Sequence, residues 1–218
     1  MNKTISKLDL VQTILSRMVE EGVTSTGESE AAEQVAMIVE NAYYDILTMK
    51  DWEYLTKAGT LISNPDDSTT LKLPYDLVSL HWFKYKDNVL TEIKDWDSYI
   101  SKKVNAPQDP RYYIVLGDVI YFDAVPEEGL IPSNGSIFYT REPNPIPTDD
   151  SILDAPRRFI HVIRDMSLML AYSSVQDKES TVKLYASLVK KGLTFLQRWQ
   201  YNGPTEKSAG YGVNYGRK

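Results

Sequence analysis

The order of the predicted elements constrains this chain more than any other feature, because amphipathic stretches occupy both ends and strand-like segments occupy the middle. Apolar residues recur at helical spacing from about Ser6 to Lys50 and again from Asp154 to Trp199. Each such helix must bury its apolar face, so the helices from the two ends are expected to pack together. The sequence therefore predicts an α+β fold, in which a helical bundle formed from the N- and C-terminal helices carries a central antiparallel β-meander module.

The domain boundaries follow from the same patterns. Three prolines between Glu142 and Pro147 mark the return from strands to helices, because proline fixes φ and lacks a backbone donor. The last residues have no apolar periodicity and cannot bury enough surface to offset their ordering entropy. The predicted parts are a helical domain at 1–57 and 148–203, a β domain at 58–147, and a flexible C-terminal tail at 204–218.

Local signals mark where the helices begin. Ser6 and Asp9 have the spacing of a capping box, which predicts the start of the first helix, and Gly22 is expected to end it. Ser29 precedes the second helix, and Asp154 is the expected cap of the third. The buried face of the second helix is expected to contain Ala31, Val35, Ile38, Ala42 and Met49. The fourth helix is predicted to carry one apolar row with a second beside it: Val182, Tyr185, Val189, Leu196 and Trp199 in the first, and Leu184, Leu188 and Phe195 in the second.

Turn residues separate the predicted strands. Gly117-Asp118 lies between the strand-like segments Tyr112–Leu116 and Val119–Asp123, and glycine supplies the positive φ that a tight hairpin turn requires. Asp87-Asn88 is expected to form a second two-residue turn. A short helix is predicted at Trp96–Lys102.

Composition excludes several classes of protein. The 218 residues contain no cysteine, which removes disulfides, thiolate nucleophiles and cysteine-bound zinc. The formal net charge of −6 disfavours tight DNA binding, since gripping phosphates requires clustered Lys and Arg. No apolar run approaches the roughly 20 residues that span a bilayer. We therefore expect no membrane partner, and synthesis and folding in the cytoplasm.

Residues able to carry chemistry do not cluster in the sequence. His81 and His161 are the only histidines and fall in different modules, whereas a metal or acid–base site needs converging partners. The acidic pairs Asp66–Asp67, Glu127–Glu128 and Asp149–Asp150 all fall in predicted turns, where such residues are common. The prediction is that the chain is not an enzyme and binds no metal and no cofactor.

Aromatic residues point to protein contacts instead. Fifteen tyrosines and four tryptophans are many for this length, and such side chains are enriched at protein–protein interfaces. The C-terminal tail is either a floppy end or an arm that orders on a partner. In the second case Tyr211 and Tyr215 would be anchors and Arg217 a polar clamp. Trp199 and Tyr201, just before the tail, complete the predicted partner-binding set.

Five segments, none of them a catalytic signature, follow one another along nearly the whole chain: Ala31–Ala36, Asp51-Trp52, Leu73–Val78, Tyr113–Phe122 and Asp154–Phe159. In this order they resemble phage head-to-tail adaptors of the podovirus tail tubular protein A type. The resemblance implies a virion protein at the head–tail junction, forming a ring, usually twelve-fold, through which the genome passes. The implied partners are the portal protein, the tail tube or nozzle protein, and further copies of the same chain.

Two other functions stay open. A wall-degrading tail protein that hydrolyses peptidoglycan would need two carboxylates facing one cleft. A nucleic-acid-binding module would need a basic surface. An adaptor should not grip the DNA that passes through it, so we expect an acidic or neutral bore.

Overall fold

A computed structural model describes residues 5–18, 23–174 and 179–202. Residues 201 and 202 are described by their backbone alone. Five α-helices and nine strands lie within these ranges, so the predicted α+β class is confirmed. The chain divides into two compact units. The first combines Met1–Leu47 with Pro145–Lys218, and the second is Thr48–Asn144.

The helices are α1 (Lys7–Arg17), α2 (Glu30–Thr48), α3 (Trp96–Lys102), α4 (Arg157–Ser174) and α5 (Glu179–Asn202). Short 3-10 turns lie at Glu53–Leu55 and Pro132–Asn134. The strands are β1 (Thr56–Thr60), β2 (Ile62–Ser63), β3 (Thr70–Lys72), β4 (Leu77–Tyr85), β5 (Asn88–Val89), β6 (Thr91–Glu92), β7 (Tyr112–Leu116), β8 (Val119–Phe122) and β9 (Gly135–Arg141).

The start of α1 confirms the predicted capping box. The Asp9 amide donates to Ser6 Oγ over 3.1 Å, and the Ser6 amide donates to Asp9 Oδ2 over 3.0 Å. These two bonds satisfy donors that the first helical turn otherwise leaves unpaired. The predicted stop at Gly22 lies outside the described residues.

The start of α2 also agrees with the sequence, because the Ala32 amide donates to Ser29 Oγ over 3.1 Å. Its buried face is wider than the single row that periodicity predicts. Met49 was expected on that face, but it follows the last helical residue and is 46% exposed. The buried residues of α2 are Ala32, Val35, Ala36, Val39, Ala42, Tyr43, Ile46 and Leu47.

Contacts within the first unit join the two ends of the chain. The Lys7 amide donates to the carbonyl of Ser151 over 2.9 Å, which ties the start of α1 to the segment before α4. The Tyr172 hydroxyl in α4 donates to the carbonyl of Arg17 in α1 over 2.7 Å. Helix α4 packs on both α1 and α5. Helices that are far apart in sequence therefore share one compact unit.

The strands of the second unit form two sheets, which is more than the simple meander that the sequence predicts. The first sheet has the order β1-β9-β4-β5, and the second has the order β2-β3-β8-β7-β6. All pairs are antiparallel except β6 and β7, which run parallel. The last strand, β9, lies between β1 and β4, a long-range pairing that no local turn signal encodes.

Two of the three local predictions in this unit are confirmed, and the third is displaced by one residue. Strands β7 and β8 form the expected hairpin, and Gly117 at its turn has a φ of 65°, which favours glycine. The predicted short helix has the bounds of α3. Strands β4 and β5 pair through Tyr85 and Asn88, so the turn between them is Lys86-Asp87, one residue earlier than the predicted Asp87-Asn88, and Lys86 has a positive φ of 51°.

Aromatic rings from both sheets build the core of the second unit. Phe83 of β4 lies edge-on to Tyr113 of β7, with ring centroids 5.1 Å apart, and its centroid is 5.7 Å from that of Phe122 in β8. Tyr85 and Tyr139 add buried rings from the first sheet. These contacts hold the two sheets together through one shared core.

A buried carboxylate fixes the start of the β7–β8 hairpin. Asp123 is 2% exposed, and its Oδ1 accepts hydrogen bonds from the amides of Arg111 and Tyr112, each at 2.9 Å. Charge-assisted bonds to backbone amides are stronger than neutral ones. Asp123 therefore serves the architecture of the hairpin.

Candidate interaction surfaces

Chemistry-bearing side chains do not converge in the described part of the chain. No group of three or more His, Asp or Glu residues there could hold a metal ion. His81 Nε2 lies 2.8 Å from Thr140 Oγ1, and the His81 ring packs near Phe138, so this histidine is engaged within the first sheet. His161 is exposed on α4, in the other unit.

One member of each acidic pair accepts hydrogen bonds from another residue. Thr69 donates its hydroxyl and its amide to Asp67, Lys86 donates to Glu128, and Thr26 donates its hydroxyl and amide to Asp149. These bonds lower the pKa of each of the three carboxyls. A general acid working near neutral pH needs a raised pKa. Asp67, Glu128 and Asp149 are therefore poor candidates for the general acid of a wall-degrading activity.

A polar cluster on the first sheet joins three elements. Lys57 Nζ lies 2.7 Å from Asp76 Oδ2, and the Tyr139 hydroxyl donates to Asp76 Oδ1 over 2.9 Å. Burial alone would raise the pKa of Asp76, but the hydrogen bonds from Lys57 and Tyr139 outweigh it and hold that pKa below its ordinary value of 3.8. The charged form of Asp76 is thus preferred in the folded protein.

This cluster predicts an acid-sensitive component of stability. A carboxyl whose pKa is lowered by folding stabilises the protein above its unfolded pKa, and the contribution disappears as pH falls through the folded pKa. The free energy of unfolding should therefore fall less steeply below about pH 4 in the Asp76→Asn variant than in the unchanged protein. Denaturant titrations at a series of pH values measure this slope.

A matched control is Asp118→Asn. The Asp118 carboxylate is exposed and lies 3.7 Å from Lys72 Nζ, and exposed pairs of this kind contribute little to stability. Its pH curve should follow that of the unchanged protein. If the Asp76→Asn curve did so as well, Asp76 would have no part in the acid dependence.

An open groove of about 450 Å³ runs between α1 and α4 in the first unit. Arg157, His161 and Arg164 line it from α4, and Thr13 and Ser16 line it from α1. Arg164 is already paired with the neighbouring Asp165, at 2.7 Å. The groove has no pair of facing carboxylates of the kind that glycoside hydrolysis requires.

Only some of the residues predicted to bind partners lie in the described part of the chain. Trp199 lies on α5, half-buried, with the guanidinium carbon of Arg158 4.7 Å from its ring centroid. This cation–π contact joins α5 to α4. Tyr201 belongs to the last turn of α5, where only the backbone is described. Tyr211, Tyr215 and Arg217 lie outside the described residues, so their role stays a prediction.

Helix α5 has an exposed apolar row that the sequence reading did not identify as a surface. Val189 and Leu196 of the first predicted row are buried. In the second row, Leu184 is 58% exposed, Leu188 37% and Phe195 55%. Hydrophobic periodicity identifies both rows as apolar. Only the packing of α5 on α4 shows which of the two rows is covered.

The solvent face of α2 has the opposite character. Glu30, Glu33 and Asp45 are exposed, and Met37 among them is 65% exposed. Glu40 is paired with Lys7 at 3.1 Å. The helix has no basic residue, so the only charged side chains that α2 itself places around the exposed methionine are acidic.

The second unit also exposes large apolar side chains. Tyr75, before β4, is 95% exposed, and Trp96 and Ile100 on α3 are each about half-exposed. The two adjacent tyrosines of β7 do not form one platform, since Tyr113 is buried in the core and Tyr112 lies under Lys102 Nζ, 3.9 Å from its ring centroid. A base-stacking pair at this position is thus not available.

None of the described helices combines the length and the apolar character that crossing a membrane requires. No curated protein matches the sequence significantly. The family model described as SU10 adaptor protein matches residues 6–207, which includes sequence from both compact units. The chain therefore belongs to the SU10 adaptor protein family.

Proposed function

We propose that this protein is the head-to-tail adaptor of a tailed phage, assembled as a ring between the portal and the tail tube, with the genome passing through. The observation that carries the proposal is membership of the SU10 adaptor family over most of the chain. The same proposal includes that the adaptor is of the podovirus tail tubular protein A type and that its ring contains twelve copies. The role is structural, and the position is at the head–tail junction of the virion.

The surfaces of the chain support this role. Exposed apolar side chains occur on α5, on α3 and before β4, and contiguous apolar patches commonly mark protein contacts. A ring adaptor needs contacts of roughly 1,000 Å² or more with each neighbour. The net charge of −6 fits a conduit that lets DNA slide without binding it specifically.

The direct test is a phage that lacks this protein. We expect particles with full heads that leak DNA or lack tails, and we expect the protein supplied from a plasmid to restore infectious particles. Normal tailed particles without the protein would contradict the proposal. The purified protein should also form a complex with the portal, detectable by size exclusion and by mass, and should not release fragments from peptidoglycan.

We include a role for the C-terminal tail in portal binding. Removing residues 204–218 is expected to abolish the portal complex, and the melting temperature of the truncated protein, compared with that of the full chain, serves as the control for folding. The Tyr211→Ala/Tyr215→Ala variant keeps the tail at its full length, so it tests the contribution of the two tyrosine side chains alone. Portal binding unchanged in both variants would refute this role.

A further inference from the structure

The exposed row on α5 is both apolar and basic. Leu184, Leu188 and Phe195 are spaced by four and seven residues, which places them on one helix face. Lys191 and Arg198 follow Leu188 and Phe195 by three residues each, so they share that face, and both are exposed. The whole helix carries four basic residues and one acidic residue, a net charge of +3.

The exposed face of α2 is complementary in sign. The helix itself carries four acidic residues and no basic residue, a net charge of −4, and one of the four, Glu40, is paired with Lys7 of α1. Glu33 and Glu30 lie one and two turns before Met37, respectively, on the same face. One copy of the chain therefore exposes two helix faces that each contain apolar surface and that carry opposite charge.

We propose that the α5 face of one copy packs against the α2 face of the next copy. Apolar contact between Met37 and the α5 row would exclude water, and Lys191 and Arg198 would meet the carboxylates of α2. A symmetric contact of α5 with α5, or of α2 with α2, would instead bring like charges together, which opposes association. The complementarity therefore favours a second copy bound head to tail.

A head-to-tail contact uses a different face on each partner, so every added copy leaves one α5 face and one α2 face available. Such contacts close into a ring when the rotation between copies permits and otherwise continue as a filament. The inference thus rests on the proposed ring function and identifies the surfaces that would build the ring.

The chain has no cysteine, so single introduced cysteines report the contact without interference. The Met37→Cys protein is mixed in turn with the Leu184→Cys, Leu188→Cys and Phe195→Cys proteins and oxidised, with and without portal. We expect a disulfide-linked dimer in at least one mixture, roughly tenfold above that from each protein alone. The three positions along α5 test the contact in any register.

The matched control is Lys190→Cys. Lys190 is exposed on the same helix but lies about 100° from Lys191 around the axis, away from the row. Its mixture with the Met37→Cys protein should give only background dimer. The proposal is overturned if no α5 position exceeds this control with or without portal, or if an α5 variant alone forms dimers as efficiently as the mixture.

A charge swap tests the electrostatic part. Lys191→Glu, introduced into both members of the best cysteine pair, should lower the dimer yield several-fold, and adding Glu33→Lys to both should restore it. Lys190→Glu, which makes the same charge change on another side of α5, should leave the yield unchanged. Equal losses from Lys191→Glu and Lys190→Glu would refute specific pairing.

The outcomes separate this inference from the proposed function. If the portal complex forms with several copies per ring but no α2–α5 dimer appears, the interface is wrong and the adaptor role stands. If the dimer forms but no portal complex is found, the contact between copies stands and the adaptor role fails.

Discussion

Replacing Phe83 with alanine should lower the free energy of unfolding by about 3–5 kcal/mol, the largest loss that we expect from one substitution in this chain. Phe83 is 1% exposed and contacts rings of the opposite sheet, so its removal leaves a cavity where the two sheets meet. Chemical denaturation followed by tryptophan fluorescence measures the loss, since Trp52, Trp82 and Trp96 all lie in the same unit.

Phe83→Leu is the control for this prediction. Leucine keeps much of the buried volume but cannot reproduce the edge-on contact with Tyr113, so its loss should be well below that of alanine. A loss below about 1 kcal/mol for Phe83→Ala would mean that the shared core closes around the cavity or that the sheets do not depend on it.

Replacing Gly192 with leucine should lower the free energy of unfolding by about 1–3 kcal/mol, although leucine is a far better helix former than glycine. Gly192 lies where α5 crosses α4, and a Cβ atom there would fall 2.7 Å from Val162 Cγ2. A valine in a helix is held in one χ1 rotamer, so Val162 cannot turn away easily. The two helices would have to separate.

The role of Val162 can be isolated with alanine at both positions. Gly192→Ala should destabilise the unchanged protein through the same close contact. In a Val162→Ala background the obstructing methyl groups are gone, and Gly192→Ala should then stabilise by up to about 1 kcal/mol through helix propensity. The same sign in both backgrounds, measured by denaturant unfolding, would show that the close approach does not control this site.

The sequence predicted best where a structure depends on residues close together in the chain. The capping box at Ser6 and Asp9, the cap at Ser29, the hairpin turn at Gly117 and the bounds of α3 were all predicted correctly. Each depends on hydrogen bonds or dihedral angles within a few residues. The resemblance to phage adaptors, carried by segments along the whole chain, is confirmed at the level of the family.

Predictions about surfaces were less successful. The sequence placed Met49 on a buried face, but it is exposed beyond the end of α2. It placed Leu184, Leu188 and Phe195 beside the main row of α5 without indicating that they face solvent. Periodicity reports that a helix face is apolar and cannot report whether an element of the same chain or another molecule covers it.

By itself, the sequence determined the general succession of helices and strands, the starts of α1 and α2 and the absence of cysteine chemistry, because these depend on residue type and on local hydrogen bonding. Only the tertiary structure decided that β9 lies between β1 and β4, that α5 leaves one apolar row exposed, and that Gly192 must stay small against Val162. These features arise from contacts between residues far apart in the chain. Such contacts depend on packing in three dimensions, which no local pattern encodes.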